Sequence, residues 1–310
     1  SGLNVPLVVR IPEKFKKLSP FNEGSRTSTF VEFVDLVPTV LSIAGISIPN
    51  SVDGKPFLGK SLKKQKLEKQ NITFGYADRF DEKYDLVRSV RKGKFKYIRN
   101  YQPFNVDGLY NFYRYKMVAY KEWYTLFQDG KLNEVQSQFF KPRAPEAIYN
   151  IDVDPHETNN LVNDENYNEI LIDLRTKLNN HLLSINDLSF LPEPYLLKNG
   201  LENIVSYSEK NKDLIKRLIE ISDLSLYDYN KVSSQIKDAL VDENPWVRYW
   251  GLIVSSTFGN KAMENKDEIN FIFENDSENL VRIRAAEFMM LNNIEISELK
   301  INSLLSGSTQ

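Results

Sequence analysis

The chain has 310 residues, enough for two or three structural units at ~100–200 residues each. Its 40 basic and 42 acidic residues nearly cancel, which argues against the one-sided basic surface that nucleic-acid binding uses. It has no cysteine and only two histidines, His156 and His181. Disulfides, thiolate metal sites and cysteine nucleophiles are therefore excluded, and a multi-histidine metal site is disfavoured.

No run reaches the roughly 18 consecutive apolar residues that span a bilayer. The chain opens Ser1-Gly2-Leu3-Asn4, without an initiator methionine or a signal-peptide pattern. It then enters Val5-Pro6-Leu7-Val8-Val9, a run with the uninterrupted β-branched character of a strand covered on both faces. The expectation is a fragment entered part-way through a domain, with apolar surface left exposed around Val5–Val9 where sheet neighbours are absent.

Thr27–Val34 is a second β-prone run. A helix is expected to follow, with Asp35 as N-cap, Pro38 in its first turn, Val37, Val40, Leu41 and Ala44 as its apolar face, and Gly45 at the left-handed C-terminal position. Strand followed by helix suggests the tail of an α/β layer. Ser51–Gln70, lysine-rich and punctuated by Gly54, Pro56 and Gly59, reads as an exposed connection.

Leu86–Arg91 and Lys94–Arg99 flank Lys92-Gly93, a hairpin signal. Phe95, Tyr97 and Tyr101 are expected on one face, and Ala147–Ile151 is expected to complete a small antiparallel sheet. Tyr110–Leu132, rich in tyrosine with Trp123, has mixed helical periodicity; its aromatics suit packing first and sugar stacking second. Helices are expected over Glu165–Ile185 and Lys210–Asp223, with a break at Leu191-Pro192-Glu193-Pro194. His156 reads as a surface turn residue, and His181 as a helix-end residue favoured by the negative dipole.

In the last hundred residues, Asp242-Glu243-Asn244-Pro245-Trp246-Val247-Arg248 is echoed by Asp276-Ser277-Glu278-Asn279-Leu280-Val281-Arg282, 34 positions on. Two such units predict a short HEAT-type stack, in which Asp caps a helix and Arg reaches a neighbouring unit. Two ordinary amphipathic helices with similar caps are the alternative. The expected units are 1–70, 71–195 and 196–310.

Three stretches carry a resemblance. They are Ser1–Pro12; Phe33-Val34-Asp35-Leu36-Val37-Pro38-Thr39-Val40-Leu41 with Ala44-Gly45-Ile46 and Gly54-Lys55-Pro56-Phe57; and Ile148-Tyr149-Asn150-Ile151-Asp152-Val153-Asp154-Pro155-His156-Glu157-Thr158-Asn159-Asn160-Leu161. In this order they resemble the sulfatase family of the alkaline-phosphatase-like superfamily. A fourth, Asp78-Arg79-Phe80-Asp81-Glu82-Lys83-Tyr84-Asp85, is similar to a segment of bacterial sulfatases related to N-sulfoglucosamine sulfohydrolases. It departs from that segment at Ala77, Phe80 and Lys83.

The resemblance implies a truncated alkaline-phosphatase-like α/β layer, a small antiparallel sheet with helices and an all-α HEAT-like tail. It implies a hydrolase of sulfate esters or sulfamates of sugars, periplasmic or extracellular, using calcium and a formylglycine made from Cys or Ser. The formylglycine motif, the metal ligands and the active-site lysine of that family would all precede Ser1. No catalytic or metal residue transfers to this chain, which is expected to be inactive without an N-terminal catalytic region. Its contribution would be the rim of a sulfated-saccharide pocket, from Asp78, Arg79, Asp81, Glu82, Arg88 and Arg91, because an arginine fork matches two sulfate oxygens. A non-catalytic helical-repeat scaffold and a phosphoesterase of the same superfamily are the rival readings.

Overall fold

The computed structural model describes residues 5–60, 62–80 and 82–307. In chain order its elements are α1 (Leu36–Ala44), α2 (Lys64–Leu67), β1 (Ile72–Phe80), β2 (Lys83–Lys92), β3 (Phe95–Asn100), α3 (Phe112–Tyr115), α4 (Val118–Gln128), α5 (Glu134–Ser137) and β4 (Glu146–Asn150). They continue with α6 (Asn168–Ser184), α7 (Glu193–Asn199), α8 (Ile204–Lys210), α9 (Lys212–Asp223), α10 (Tyr229–Leu240), α11 (Pro245–Phe258), α12 (Lys266–Asn275), α13 (Asn279–Leu291) and α14 (Glu298–Gly307).

The four strands form one antiparallel meander in the order β1-β2-β3-β4. Lys92 pairs with Phe95 around Gly93, whose φ of +55° is a conformation that only a residue without Cβ adopts cheaply. The expected hairpin and its closing strand are therefore present, and β1 is a strand that the alternation of the sequence did not disclose. The helix α6 lies on the sheet, burying Leu171, Leu174, Leu178 and Leu182, an i, i+3, i+4 stripe. Tyr97, Leu86, Val90 and Ile148 face it from the strands and belong to the same core.

That core runs without interruption into the helical region, through Phe190 and Leu191 to Trp250, Phe273 and Phe288. Trp250 Nε1 donates to the Phe190 carbonyl at 2.7 Å, and the Trp250 ring packs on Phe190 and Tyr101. A second bolt is Arg99 at the end of β3, only 2% exposed. It donates to the carbonyls of Asn100, Pro145 and Ser222, to Ser225 Oγ and to Asp223, tying the sheet to the end of α9. A buried guanidinium persists only when its donors are matched in this way.

Within the helical region two of the recurring residues, Arg248 and Asp276, pair with each other, whereas the recurring Arg282 donates to the Phe273 carbonyl at 2.9 Å. Arg248 on α11 forks onto Asp276, Nε–Oδ2 2.6 Å and Nη2–Oδ1 2.9 Å, while Arg217 on α9 pairs with Asp242. Asp242 and Asp276 accept the amides of Asn244 and Glu278 in the turns before α11 and α13. The N-cap of α11 proper is Asn244, which accepts the Trp246 amide at 2.9 Å.

The first sixty residues depart from expectation. Neither Val5–Val9 nor Thr27–Glu32 joins a sheet among the described residues, and Phe33–Asp35 forms a 3₁₀ turn. A strand needs partners along its edges, and in these segments only a single backbone bond to another segment is formed among the described residues, from the Phe30 amide to the Gln70 carbonyl at 3.2 Å. The expected apolar exposure is present: Val5, Leu7, Val8 and Val9 are exposed, Val8 at 90%.

In α1, Gly45 does take the left-handed conformation, φ +74°. Asp35, however, does not cap the helix with its side chain; it is buried and accepts the amides of Glu32 (2.9 Å) and Lys55 (2.7 Å). The side of α1 that is buried is Pro38 and Thr39, with Thr39 Oγ1 accepting the Phe57 amide, while Val37 and Val40 remain exposed. The segment after α1 is correspondingly less open than its composition suggests. Phe57, Leu58 and Leu67 form a small core with Ile11, Phe21, Val31 and Leu62.

Candidate functional site

The hairpin β1–β2 carries most of the sulfate-directed residues expected from the sequence. Its register slips between Ala77 and Arg79, so that Arg79 pairs with Tyr84 and Phe80 with Lys83. Such an irregularity twists the hairpin end and re-aims its side chains. Asp81 lies outside the described residues.

Arg88, 4% exposed, sits at the centre of a buried polar network. Its Nε and Nη2 fork onto Asp187 at 2.7 and 3.2 Å, and Nη1 and Nη2 reach Asp78 on β1. Ser189 Oγ donates to Asp78 at 3.0 Å and the Ser189 amide donates to Asp187 at 3.0 Å. Burial disfavours the charged guanidinium, but the hydrogen bonds to Asp187 and Asp78 outweigh it and raise the pKa, so Arg88 stays charged. One cation with two carboxylates in a dry site is held by geometry more than by net attraction.

Arg79 occupies the exposed end of the same hairpin. Its Nε donates to Glu193 at 2.9 Å, and its guanidinium lies 5.8 Å from the Tyr84 ring centroid. The side chain is half exposed, and its Nε and Nη2 both donate to Glu193, which orients it. Burial pushes the Tyr84 phenol well above its ordinary value, reinforced by Tyr249, Asp78 and Glu193 and opposed by Arg284. Tyr84 is therefore a neutral prop under the arginine.

Glu82, at the hairpin turn, accepts Asn111 Nδ2 (3.0 Å) and the Phe112 amide (3.3 Å), joining the turn to α3. Next to it, Lys83, Asp85, Asp107 and Arg143 form an ion-pair cluster. Arg91 is placed apart: its Nε donates to the Gly93 carbonyl and its guanidinium lies 4.7 Å from the Phe30 ring. Arg88 and Arg91 are three residues apart on one strand, so they point to opposite faces of the sheet.

Asp187, Ser189 and Glu193 complete the arrangement and were not singled out from the sequence. Asp187 carries a faint signal, since Asp-Leu-Ser before a short turn is an Asx pattern: its side chain caps the 3₁₀ turn Leu188–Phe190. Glu193 carries none, because its partner is more than a hundred residues away. Leu191-Pro192-Glu193-Pro194 is not a loose linker; Leu191 is buried and α7 begins at Glu193. His181 also has an unforeseen role. It stacks on Phe74 of β1, centroids 3.8 Å apart, and burial lowers its pKa against the pull of Glu32 and Asp187. His156 lies exposed in a turn where Asp154 accepts the amides of Thr158 and Asn159.

Among the described residues no group of three or more His, Asp or Glu side chains is placed to hold a metal ion. A calcium ion needs six to eight oxygen ligands, which the described residues do not bring together, and the sequence holds neither a cysteine nor a serine in a Ser-x-Pro-x-Arg or Ser-x-Ala-x-Arg motif. Among the described residues no helix is long and apolar enough to cross a membrane.

Comparison with known proteins defines the class first. Residues 1–141 match the family described as N-sulphoglucosamine sulphohydrolase, C-terminal. The chain thus holds a sulfatase-family C-terminal portion, a segment that includes the whole of the β1–β2 hairpin. Two ulvan-active sulfatases of Formosa agariphila are among its relatives. One is 37% identical over 198 residues, 64% of this chain and 32% of that protein. The other is 26% identical over 172 residues, 54% of this chain and 31% of that protein. The chain therefore spans about a third of the length of the curated relatives it matches.

Proposed function

We propose that this chain acts as the C-terminal portion of a sulfatase that removes sulfate from a sulfated saccharide, and that hairpin β1–β2 supplies one wall of the substrate pocket. The observation that carries the reading is Arg79, a half-exposed guanidinium oriented by Glu193 and Tyr84 at the hairpin end, within the segment that matches the sulfohydrolase family. Arg79 contacts the sulfated sugar, and Glu82 borders the same turn with Asp81 between them in sequence. Asp78 and Arg88 are positioning residues: they lock the hairpin to Asp187 and Ser189. Arg91 faces the amino-terminal segment and takes no direct part in sugar binding.

The chemistry of sulfate cleavage, with calcium and formylglycine, belongs to a catalytic region that docks on the exposed apolar surface of Val5–Val9, Val37 and Val40. That surface is the seam of the alkaline-phosphatase-like layer, and residues 1–70, 71–195 and 196–310 are its three successive units. The last is a HEAT-like pair, a reading supported by the Arg217–Asp242 and Arg248–Asp276 contacts. The likeness to ulvan-active sulfatases makes ulvan the first substrate to try, and an extracytoplasmic location fits a polymer of that size.

The test is sulfate release from ulvan by the chain joined to a matured sulfatase catalytic region. Arg79→Ala is expected to lower kcat/KM by about tenfold or more, the loss of one charge-assisted fork, while the chain alone releases none. Release of phosphate from phosphodiesters in place of sulfate, or an unchanged kcat/KM for Arg79→Ala, sinks the reading.

A further inference from the structure

The insertion between β3 and β4 has an aromatic interior and an aromatic exterior. Inside, Trp123 stacks on Phe139 at 4.6 Å and both meet Phe140, which is buried. Outside, Tyr110, Phe112 and Tyr113 are exposed at 63%, 53% and 63%, and Met117 and Val118 extend the patch. Tyr110 and the start of α3 are held in place. Tyr110 stacks on Tyr115 at 5.6 Å with planes 10° apart, Tyr115 donates to the Gly108 carbonyl, and Asn111 caps α3 through the Arg114 amide. Five exposed large apolar side chains within nine residues form a candidate binding surface.

Its charge indicates the kind of ligand. From Tyr110 to Lys121 the sequence holds Arg114, Lys116 and Lys121 and no carboxylate. Arg114 donates to the Asp107 carbonyl and packs on Tyr120 and Phe139, so it braces the patch from within. Lys116 and Lys121 are both exposed, and Lys116 Nζ lies 4.2 Å from the Phe112 centroid. Aromatic faces are electron-rich and complement the C–H face of a pyranose, while ammonium groups complement sulfate. The patch is also anchored to the hairpin, since Glu82 holds both Asn111 and the Phe112 amide. Two residues lie between Arg79 and Glu82, so their Cα atoms are at most about 11 Å apart.

We propose that Tyr110, Phe112 and Tyr113, with Lys116 and Lys121, form a saccharide subsite that seats a stretch of sulfated polysaccharide next to the β1–β2 hairpin. The subsite rests on the reading that the chain serves a sulfated saccharide, and it adds that the substrate is a polymer held over several sugar units.

The experiment is calorimetric titration of the 310-residue chain with ulvan, chemically desulfated ulvan and polyglutamate at two salt concentrations. Ulvan is expected to bind, desulfated ulvan more weakly, and polyglutamate least. Tyr110→Ala with Tyr113→Ala is expected to weaken ulvan binding about tenfold, with far-ultraviolet dichroism unchanged. Should that double variant fail to fold, Tyr113→Leu alone keeps apolar bulk without a ring face and is expected to lose affinity; retention of wild-type affinity in either case overturns the subsite. Lys116→Gln with Lys121→Gln is expected to flatten the salt dependence. Equal binding of polyglutamate and ulvan overturns it as well, since the surface then reads charge alone. Sulfate release is measured separately: release without ring-dependent binding sinks only the subsite, and ring-dependent binding without release sinks only the activity.

Discussion

Residues 5–46 and residues 204–307 are both rich in apolar side chains, but the two regions use them in opposite ways. In the helical region Trp250, Phe273, Val281 and Phe288 are buried in one core that reaches back to the sheet. In the first region Val5, Leu7, Val8, Val9, Val37 and Val40 stand in solvent, while α1 buries Pro38 and the polar Thr39, with Asp35 buried just before it. Apolar content is therefore a poor guide to burial; the availability of a complementary layer in the same chain decides it. In the helical region α9, α11, α12 and α13 bury apolar residues in that one core. Among the described residues no second layer covers the exposed side of the first region.

The contrast predicts where substitutions are felt. Trp250→Ala is expected to destabilise the chain by about 3–5 kcal/mol, because a large ring shared by Tyr101 and Phe190 leaves a cavity and strands the Phe190 carbonyl. Chemical denaturation measures it, and a loss below about 1 kcal/mol breaks the claim of one continuous core. Arg88→Ala should approach the same size, about 3–5 kcal/mol, since it leaves Asp78 and Asp187 facing each other without their cation.

A smaller effect concerns pH. Burial holds the His181 pKa below its ordinary value, so the unfolded chain takes up a proton that the folded one resists. The stability associated with this group is complete above the unfolded pKa near 6.5 and is lost as pH falls toward the folded value. Melting temperature should drop more between pH 7.5 and 5 in the wild type than in His181→Phe, which keeps the stack on Phe74. Equal slopes remove His181 as the cause.

Arg79→Ala should cost less than about 1 kcal/mol of stability, as expected for an exposed pair, which separates its part in binding from any part in folding. Val40→Asp should change stability least, within about 0.5 kcal/mol in this chain. The same variant should abolish co-purification with a sulfatase catalytic region; persistence of that complex would show that α1 is not the seam.

The sequence by itself determined the local pieces whose signals are short-range. The β2–β3 hairpin follows from alternation around Gly93, α6 from its leucine stripe, and the end of α1 from Gly45. The family motifs were legible for the same reason, being contiguous. Only the tertiary structure decided which charges act together. Arg88 meets Asp187 across 99 residues and Arg79 meets Glu193 across 114, and no local pattern encodes a contact that chain folding alone brings about. It also sent Arg91 to the opposite face, turned α1 onto Pro38 and Thr39, and set the exposed tyrosines of the insertion beside the hairpin. Each of these depends on which surfaces find a complementary neighbour, and that is a property of the packed chain, not of any stretch of it.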